Sequence, residues 1–243
     1  IHGLIDYFIE YRLLKDEGHP RIFVERALAF ITLARFGLSE DELARALGTD
    51  ENVREEFVNN EKTSQKWEHV SLLPPSIWLR LYHDLKPYLG NIFVDGALLM
   101  RWFHREFSEV LQKKLLTSRF SKIATHAHLA EVFAKMAPGL ETLFQDTDAS
   151  SSQICTSLRR IMEQPWQLAK AKKHDELNNL ISDFSFCMAK CAANRSRDLI
   201  QDFRLLKMLD VDGTTIANHW RMFFQTRAHL LDLGDEIWPA HRI

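Results

Sequence analysis

Between Ala97 and Leu116 the apolar spacing changes period part-way along the stretch. Residues Leu98 to Phe103 are apolar apart from Arg101, which fits a short strand. From His104 the apolar positions are Phe107, Val110, Leu111 and Leu115, which is helical spacing. A strand therefore ends and a helix begins at His104. The first turn of a helix carries unpaired N–H groups and the positive end of the helix dipole, so it attracts anions. A histidine there adds a side-chain donor for a phosphate. The same spacing also suits a histidine that caps its own helix or packs beside Trp102.

Upstream, Asp95-Gly96 lies between the apolar runs Ile92-Phe93-Val94 and Ala97-Leu98-Leu99. Asp-Gly in that setting is a two-residue hairpin signal. Residues 92–103 are expected to form a two-stranded hairpin, the one substantial sheet of the chain.

Composition excludes several classes. Apolar residues make up 46% and charged residues 26% of the 243 residues, as in ordinary soluble domains. The formal net charge of −2 gives no electrostatic case for nucleic acid or an anionic membrane. No run of about 18 apolar residues could cross a bilayer. Cys155, Cys187 and Cys191 are the three cysteines, a number that suits a reducing compartment such as the cytoplasm. The opening Ile1-His2-Gly3 carries no signal peptide and no methionine, so the chain is expected to be a piece of a longer protein.

Taken in order, residues 1–15 form a lead-in helix that ends before Gly18-His19-Pro20. A second helix runs from about Arg21 to Phe36 and is stopped by Gly37. In LSEDELARALG, Ser39 and Glu42 have capping-box spacing, and Gly48 closes the helix. Glu51–Asn60 makes a short helix with Val53 and Phe57 inward, and residues 61–71 read as a loop with a lead-in strand at Trp67–Leu72. After Leu73-Pro74-Pro75, Ser76 is expected to cap a helix with Ile77, Leu81, Leu85 and Leu89 on its apolar face. Helices, a hairpin and a further helix in that order are the pattern of a winged helix. After Leu116 the chain is helical throughout, with helices expected at 119–136, 176–182, 184–193 and 196–209. QDTDASSSQ, residues 145–153, reads as a polar linker, and Pro165 is expected to break RRIMEQPWQLAKAK.

FHREFSEVL around His104 resembles the end of the winged-helix domain of STAND signal-transduction NTPases of the NACHT and NB-ARC kind. In that family a Phe-His pair, or a Met-His-Asp triplet, opens a helix, and its histidine touches the β-phosphate of ADP. The resemblance places His104 at that histidine. Glu106 departs from the acid of the triplet, so the triplet's salt-bridging role does not carry over. GLSEDELARAL, LPPSIWLRLYHDLKPYL, HAHLAEVF, EQPWQL, DELNNLISDFSFCMAK and DLIQDF follow in family order. They lead to HWRMFFQTRAHLLDLGDEIWPAHRI, which is similar to the run-in to WD or tetratricopeptide-like repeats. The resemblance spans about Ile22 to Ile243.

It implies a mainly α fold: a lead-in helix (1–19), a winged-helix domain with one small β-hairpin (20–118), and an α-helical hairpin domain (119–243) leading to a repeat sensor. It further implies a regulatory arm that holds the ADP-bound closed state through His104. The partners implied are a nucleotide-binding core N-terminal to this piece, a C-terminal repeat sensor, and further copies of the protein on activation. The setting implied is cytoplasmic signalling, antiviral in bacteria or innate-immune in animals. ADP or ATP would be held by the parent chain, not by this piece alone.

The chain has no G-x-x-x-x-G-K-[ST] phosphate loop and no acidic cluster after an apolar strand, so it is expected to have no ATPase activity of its own and no catalytic residue. His126 and His128 lie two apart and point to different helix faces, and Cys187 and Cys191 read as buried structural residues. No metal site is expected. Glu163 and Asp183 read as surface charges. Two other functions fit the same residues. One is a non-enzymatic helical protein-interaction module. The other is a winged-helix DNA-binding regulator reading DNA through Arg80, His83 and Lys86, with Asp84 among them opposing that use.

Overall fold

The computed structural model describes residues 2–59, 73–116, 121–137, 139–140, 143, 150–207 and 215–231. The described chain is mainly helical, with twelve α-helices and one two-stranded antiparallel hairpin. It divides into two compact units, Ile1–Val132 and Phe133–Ile243. The expected lead-in strand at Trp67–Leu72 lies outside the described residues.

In the first unit, α1 (His2–Tyr7) continues into a π-helix, Phe8–Asp16. The centre of the unit is α2 (Arg21–Leu33), where almost every side chain from Phe23 onward is buried. Such a helix needs neighbours on all sides. It has them in α3 (Glu40–Gly48), α4 (Glu51–Asn59), the hairpin strand β2 (Ala97–Trp102) and α6 (Arg105–Leu115). The charges α2 carries inward are matched. Arg26 Nε donates to Asp50 at 2.6 Å, and its Nη1 donates to Thr125 Oγ1 at 2.9 Å. The first N–H groups of α2, on Ile22 and Phe23, both donate to the Glu56 carboxylate at 2.8 Å. An acid from α4 thus caps the helix end that most favours negative charge.

Ser39 and Glu42 form the expected capping box. The helix before them ends earlier than expected, because Ala34 turns extended after Leu33. Gly37 has a different role from helix stop. Its φ is +113°, and a Cβ there would lie 2.4 Å from the Met100 carbonyl oxygen. This close approach lets Leu38 exchange two backbone hydrogen bonds with Met100, at 3.1 and 2.8 Å.

Helix α5 spans Pro75–Leu85, with Pro74 rather than Ser76 at its N-cap. Proline at the first helical position costs no hydrogen bond, so the Pro-Pro pair itself sets the start. A 3-10 turn, Lys86–Tyr88, follows, and Leu89 opens β1 (Leu89–Val94) instead of extending the helix face. Strands β1 and β2 pair from Leu89↔Trp102 to Val94↔Ala97. Asp95 and Gly96 both have positive φ, 52° and 81°, as a two-residue turn of this hand requires. His19 Nε2 meets Asp84 Oδ2 at 2.8 Å with both side chains buried, which ties the segment before α2 to α5.

Helix α7 (Lys122–Met136) is followed in the second unit by α8 (Ser151–Lys170), α9 (His174–Ser182), α10 (Phe184–Ala192), α11 (Ser196–Lys207) and α12 (Thr215–Leu231). The expected linker at 145–153 is corrected at its end: Ser150 and Gln153 form a capping box that starts α8, while 144–149 lie outside the described residues. Helix α8 also runs through Pro165 without a break. Burial of Ile161, Met162, Pro165 and Leu168 along it outweighs the one hydrogen bond the ring forfeits. Glu163 is buried, not a surface charge; its carboxylate pairs with Arg159 at 3.4 Å and accepts from Gln167 Nε2 at 3.1 Å. Asp183 is the N-cap of α10 and accepts from the Phe186 N–H at 3.0 Å. The buried Lys190 ammonium on α10 pairs with Asp202 on α11.

No helix among the described residues is long and apolar enough to cross a membrane.

Candidate nucleotide-sensing site

His104 is the N-cap of α6, in extended conformation (φ −107°, ψ 134°), and its carbonyl accepts the Phe107 N–H at 3.2 Å. The strand-to-helix change at this residue is as the apolar spacing predicts. The side chain makes no capping hydrogen bond to its own helix and is exposed. Its ring contact is with Phe103, edge-on at 4.8 Å, not with Trp102. Phe103 is itself 69% exposed. Two aromatic rings are thus held outward at the start of a helix.

What lies beneath them is packed and hydrogen-bonded. Trp102 is buried; its indole N–H donates to Thr32 Oγ1 at 2.9 Å, and its ring stacks on Phe107 at 5.5 Å. Phe107 in turn meets Tyr88 at 5.2 Å, and Tyr88 meets Phe8 at 4.3 Å. The Phe103 N–H donates to the Tyr88 carbonyl at 2.9 Å. Residues on both sides of His104 are therefore fixed by aromatic packing and backbone bonds. The spacing argument located His104 but gave no sign of this aromatic cluster, because Phe8 and Tyr88 are remote in sequence from Phe107.

The other residues singled out by sequence fall elsewhere. His126 is buried in α7. His128 Nε2 donates to the Ala46 carbonyl at 2.8 Å and its ring stacks on Phe30, so that nitrogen has no lone pair to offer. Cys187 and Cys191 are both buried. Burial, with smaller contributions from Cys191 and Asp183, pushes the Cys187 thiol up to about 12, and its Sγ donates to the Ile181 carbonyl at 3.3 Å. It is a protonated structural residue at neutral pH. Among the described residues no three His, Cys, Asp or Glu side chains are grouped to hold a metal ion. On α5 the Arg80 guanidinium donates to the Glu17 carbonyl and Asp84 is occupied by His19, so this helix does not present a free row of donors.

Comparison with known proteins adds to this geometry. NACHT domain- and WD repeat-containing protein 1 of Homo sapiens is 26% identical over 207 residues, and that of Mus musculus 27% over 205 residues. These alignments cover 78% and 77% of this chain. NACHT and WD repeat domain-containing protein 2 of Mus musculus is 33% identical over 111 residues, 45% of this chain. The chain is a distant homologue of the NACHT and WD repeat proteins. It corresponds to a small part of them, spanning 13% of the length of the first two relatives and 6% of the third. No protein-family model and no solved structure matches the chain. Kinship with NACHT and WD repeat proteins agrees with the family that the residues around His104 and the segments after it resemble.

Proposed function

We propose that this chain is the regulatory arm of a NACHT-type NTPase that carries C-terminal repeats. Residues 20–118 act as a winged-helix domain that closes on the nucleotide-binding core. Residues 119–243 act as an α-helical hairpin domain that couples the arm to a repeat sensor. His104 donates to the β-phosphate of ADP in the closed state, beside the N–H groups of the first turn of α6. Ligand at the sensor draws the arm off the core, which lets nucleotide exchange and the protein assemble to drive an effector, in the manner of cytoplasmic antiviral or innate-immune signalling. The bistable element is the contact between arm and core, biased by nucleotide on one side and by the sensor on the other.

One observation carries this reading. His104 caps α6 two residues after the buried Trp102, yet its own side chain has no hydrogen-bond partner among the described residues and is exposed. A histidine that merely supported the fold would be bonded or packed away. The homology to proteins named for a NACHT domain and WD repeats supplies the nucleotide-binding context. The test is the dissociation rate of fluorescent ADP from the full-length parent protein with His104 and with His104→Ala. Faster release in the variant supports the proposal; an unchanged rate with a lowered melting temperature refutes it and makes His104 a structural residue.

A further inference from the structure

The hairpin has one edge taken and one edge open among the described residues. On the β2 side, Leu38 exchanges two backbone hydrogen bonds with Met100. On the β1 side no third strand is paired among the described residues. The register says which groups face that side. Met100 turns its N–H and C=O to Leu38 and away from β1, so its cross-strand partner Asn91 turns its own away from β2. The same alternation points the backbone groups of Phe93, opposite Leu98, and of Leu89, opposite Trp102, away from β2. The Leu89 N–H is already given to the Lys86 carbonyl. Asn91 and Phe93 therefore hold the open part of the edge, with two donors and two acceptors in alternation.

Edges of this kind are normally guarded. Charged side chains, proline or a bulge keep one edge strand from adding to another. Strand β1 has the sequence LGNIFV, without a charge or a proline, and its six residues pair with β2 in continuous register, so it has no bulge. Apolar side chains lie beside the edge. Phe93 is 72% exposed, and Leu98, its cross-strand partner on the same face, 56%. An uncharged, apolar edge selects another strand rather than a charged ligand.

This edge complements itself. With two β1 strands antiparallel and Ile92 facing Ile92, Asn91 of each copy stands opposite Phe93 of the other. Each such pair exchanges two hydrogen bonds, so all four open groups of each copy are used and none that is engaged elsewhere. Charge agrees with this register. Gly90 faces Val94 of the second copy, and Arg101, exposed on β2, lies opposite Gly90. Arg101 thus comes to the same end of the joined sheet as Asp95 of the second copy, which follows Val94 and has the opposite charge. Area sets the strength. A stable dimer takes roughly 800 Å² from each partner. A six-residue strand edge gives much less, so the pairing is weak and reversible. We propose that β1 pairs with β1 of a second copy of this chain across a two-fold axis at Ile92, joining two hairpins into one four-stranded sheet. A two-fold axis sets the same patch of both copies together, as in most homodimers. The pairing requires neither nucleotide nor His104.

The test uses the 243-residue chain. Analytical ultracentrifugation from the micromolar to the millimolar range should show a reversible shift toward dimer and no larger species. Amide exchange read by NMR should find Asn91 and Phe93 open in the dilute chain and at least tenfold slower at high concentration. The Ile92 amide, directed at β2 in both states, should not change. Phe93→Lys sets two like charges near the two-fold axis and should weaken dimerisation at least tenfold. Its melting temperature should match that of the parent chain, because Phe93 is exposed. Leu4→Lys alters another exposed apolar side chain and should leave dimerisation unchanged. Protection of the Asn91 and Phe93 amides in the dilute chain overturns the proposal, since the edge is then covered within the chain itself. A chain that stays monomeric throughout overturns it too, as does a Phe93→Lys variant that dimerises like the parent. Equal loss in both lysine variants also overturns it, since that marks general apolar association.

Discussion

The indole N–H of Trp102 donates to Thr32 Oγ1 at 2.9 Å, and the same hydroxyl donates to the Leu28 carbonyl at 2.6 Å. One threonine on α2 thereby accepts from the last residue of β2 and returns its own proton to its helix. Both residues are buried, so neither bond can be replaced by water from outside without rearrangement. The chain reaches His104 two residues beyond Trp102, which makes this pair the anchor of the candidate site.

Thr32→Val removes the hydroxyl and leaves the Trp102 N–H without its acceptor. The expected loss is about 1–3 kcal/mol of folding stability, the cost of a buried donor left unmet. Thr32→Ser keeps the oxygen and should fall well within that loss. Urea unfolding of the two variants checks the contrast; equal losses would show that the methyl group, not the hydrogen bond, matters.

His104→Ala should behave in the opposite way. An exposed side chain with no bond to its own helix contributes little to folding, within about 0.5 kcal/mol. In the parent protein, losing a charge-assisted hydrogen bond of about 1.5–3 kcal/mol would speed ADP release roughly ten- to a hundred-fold. Thermal melts of this chain and release rates of the parent, measured on the one substitution, give both halves of the prediction.

Gly37→Ala tests the close approach that brings Leu38 beside Met100. The new Cβ would stand 2.4 Å from a backbone oxygen at φ +113°, so the loop has to move. Gly18→Ala is the control, since Gly18 also has positive φ (+66°) but open space around it. The control should cost about 1–2 kcal/mol for the left-handed conformation alone. Gly37→Ala should cost more, and circular dichroism melts of both variants should separate them.

The contrast between these sites explains what was legible in the sequence. Asp95-Gly96, and Ser39 with Glu42, act through groups within a few residues of one another, so their patterns specify the hairpin turn and the capping box directly. The change of period at His104 is equally local. Pro165 and Glu163 misled because their outcome is set by tertiary burial: α8 continues through Pro165 with its packed face buried, and Glu163 is drawn inward by Arg159 and Gln167. The role of Gly37 depends on Met100, a residue far along the chain that no local pattern reveals.

Cys187 predicts a pH effect. Its thiol is pushed up to about 12 chiefly by burial, against a value of 9.0 in an exposed chain. Below the lower value both folded and unfolded chains hold the proton, and the residue contributes no pH dependence. Between the two values the unfolded chain releases a proton that the folded chain keeps, so unfolding becomes easier as pH rises. The slope is about 1.4 kcal/mol per pH unit. Comparing urea unfolding of the parent chain and Cys187→Ala from pH 8 to pH 10.5 isolates this group. The parent should lose stability faster above pH 9, and parallel curves would contradict the assignment.

The final prediction concerns the buried pair between Lys190 on α10 and Asp202 on α11. Both side chains are almost wholly inaccessible, at 0% and 1%. Two ions taken from water into such a site gain from each other roughly what they lose in hydration, so the pair as a whole adds little net stability. Removing one ion is different, because the other is left charged without its partner. Lys190→Met alone, or Asp202→Leu alone, should each cost about 3–5 kcal/mol, while the two together should cost markedly less than either. A double-mutant cycle read by urea unfolding gives the coupling. Additive losses would mean that Asp202 and Lys190 are held chiefly by other neighbours, and that the α10–α11 contact does not depend on their attraction.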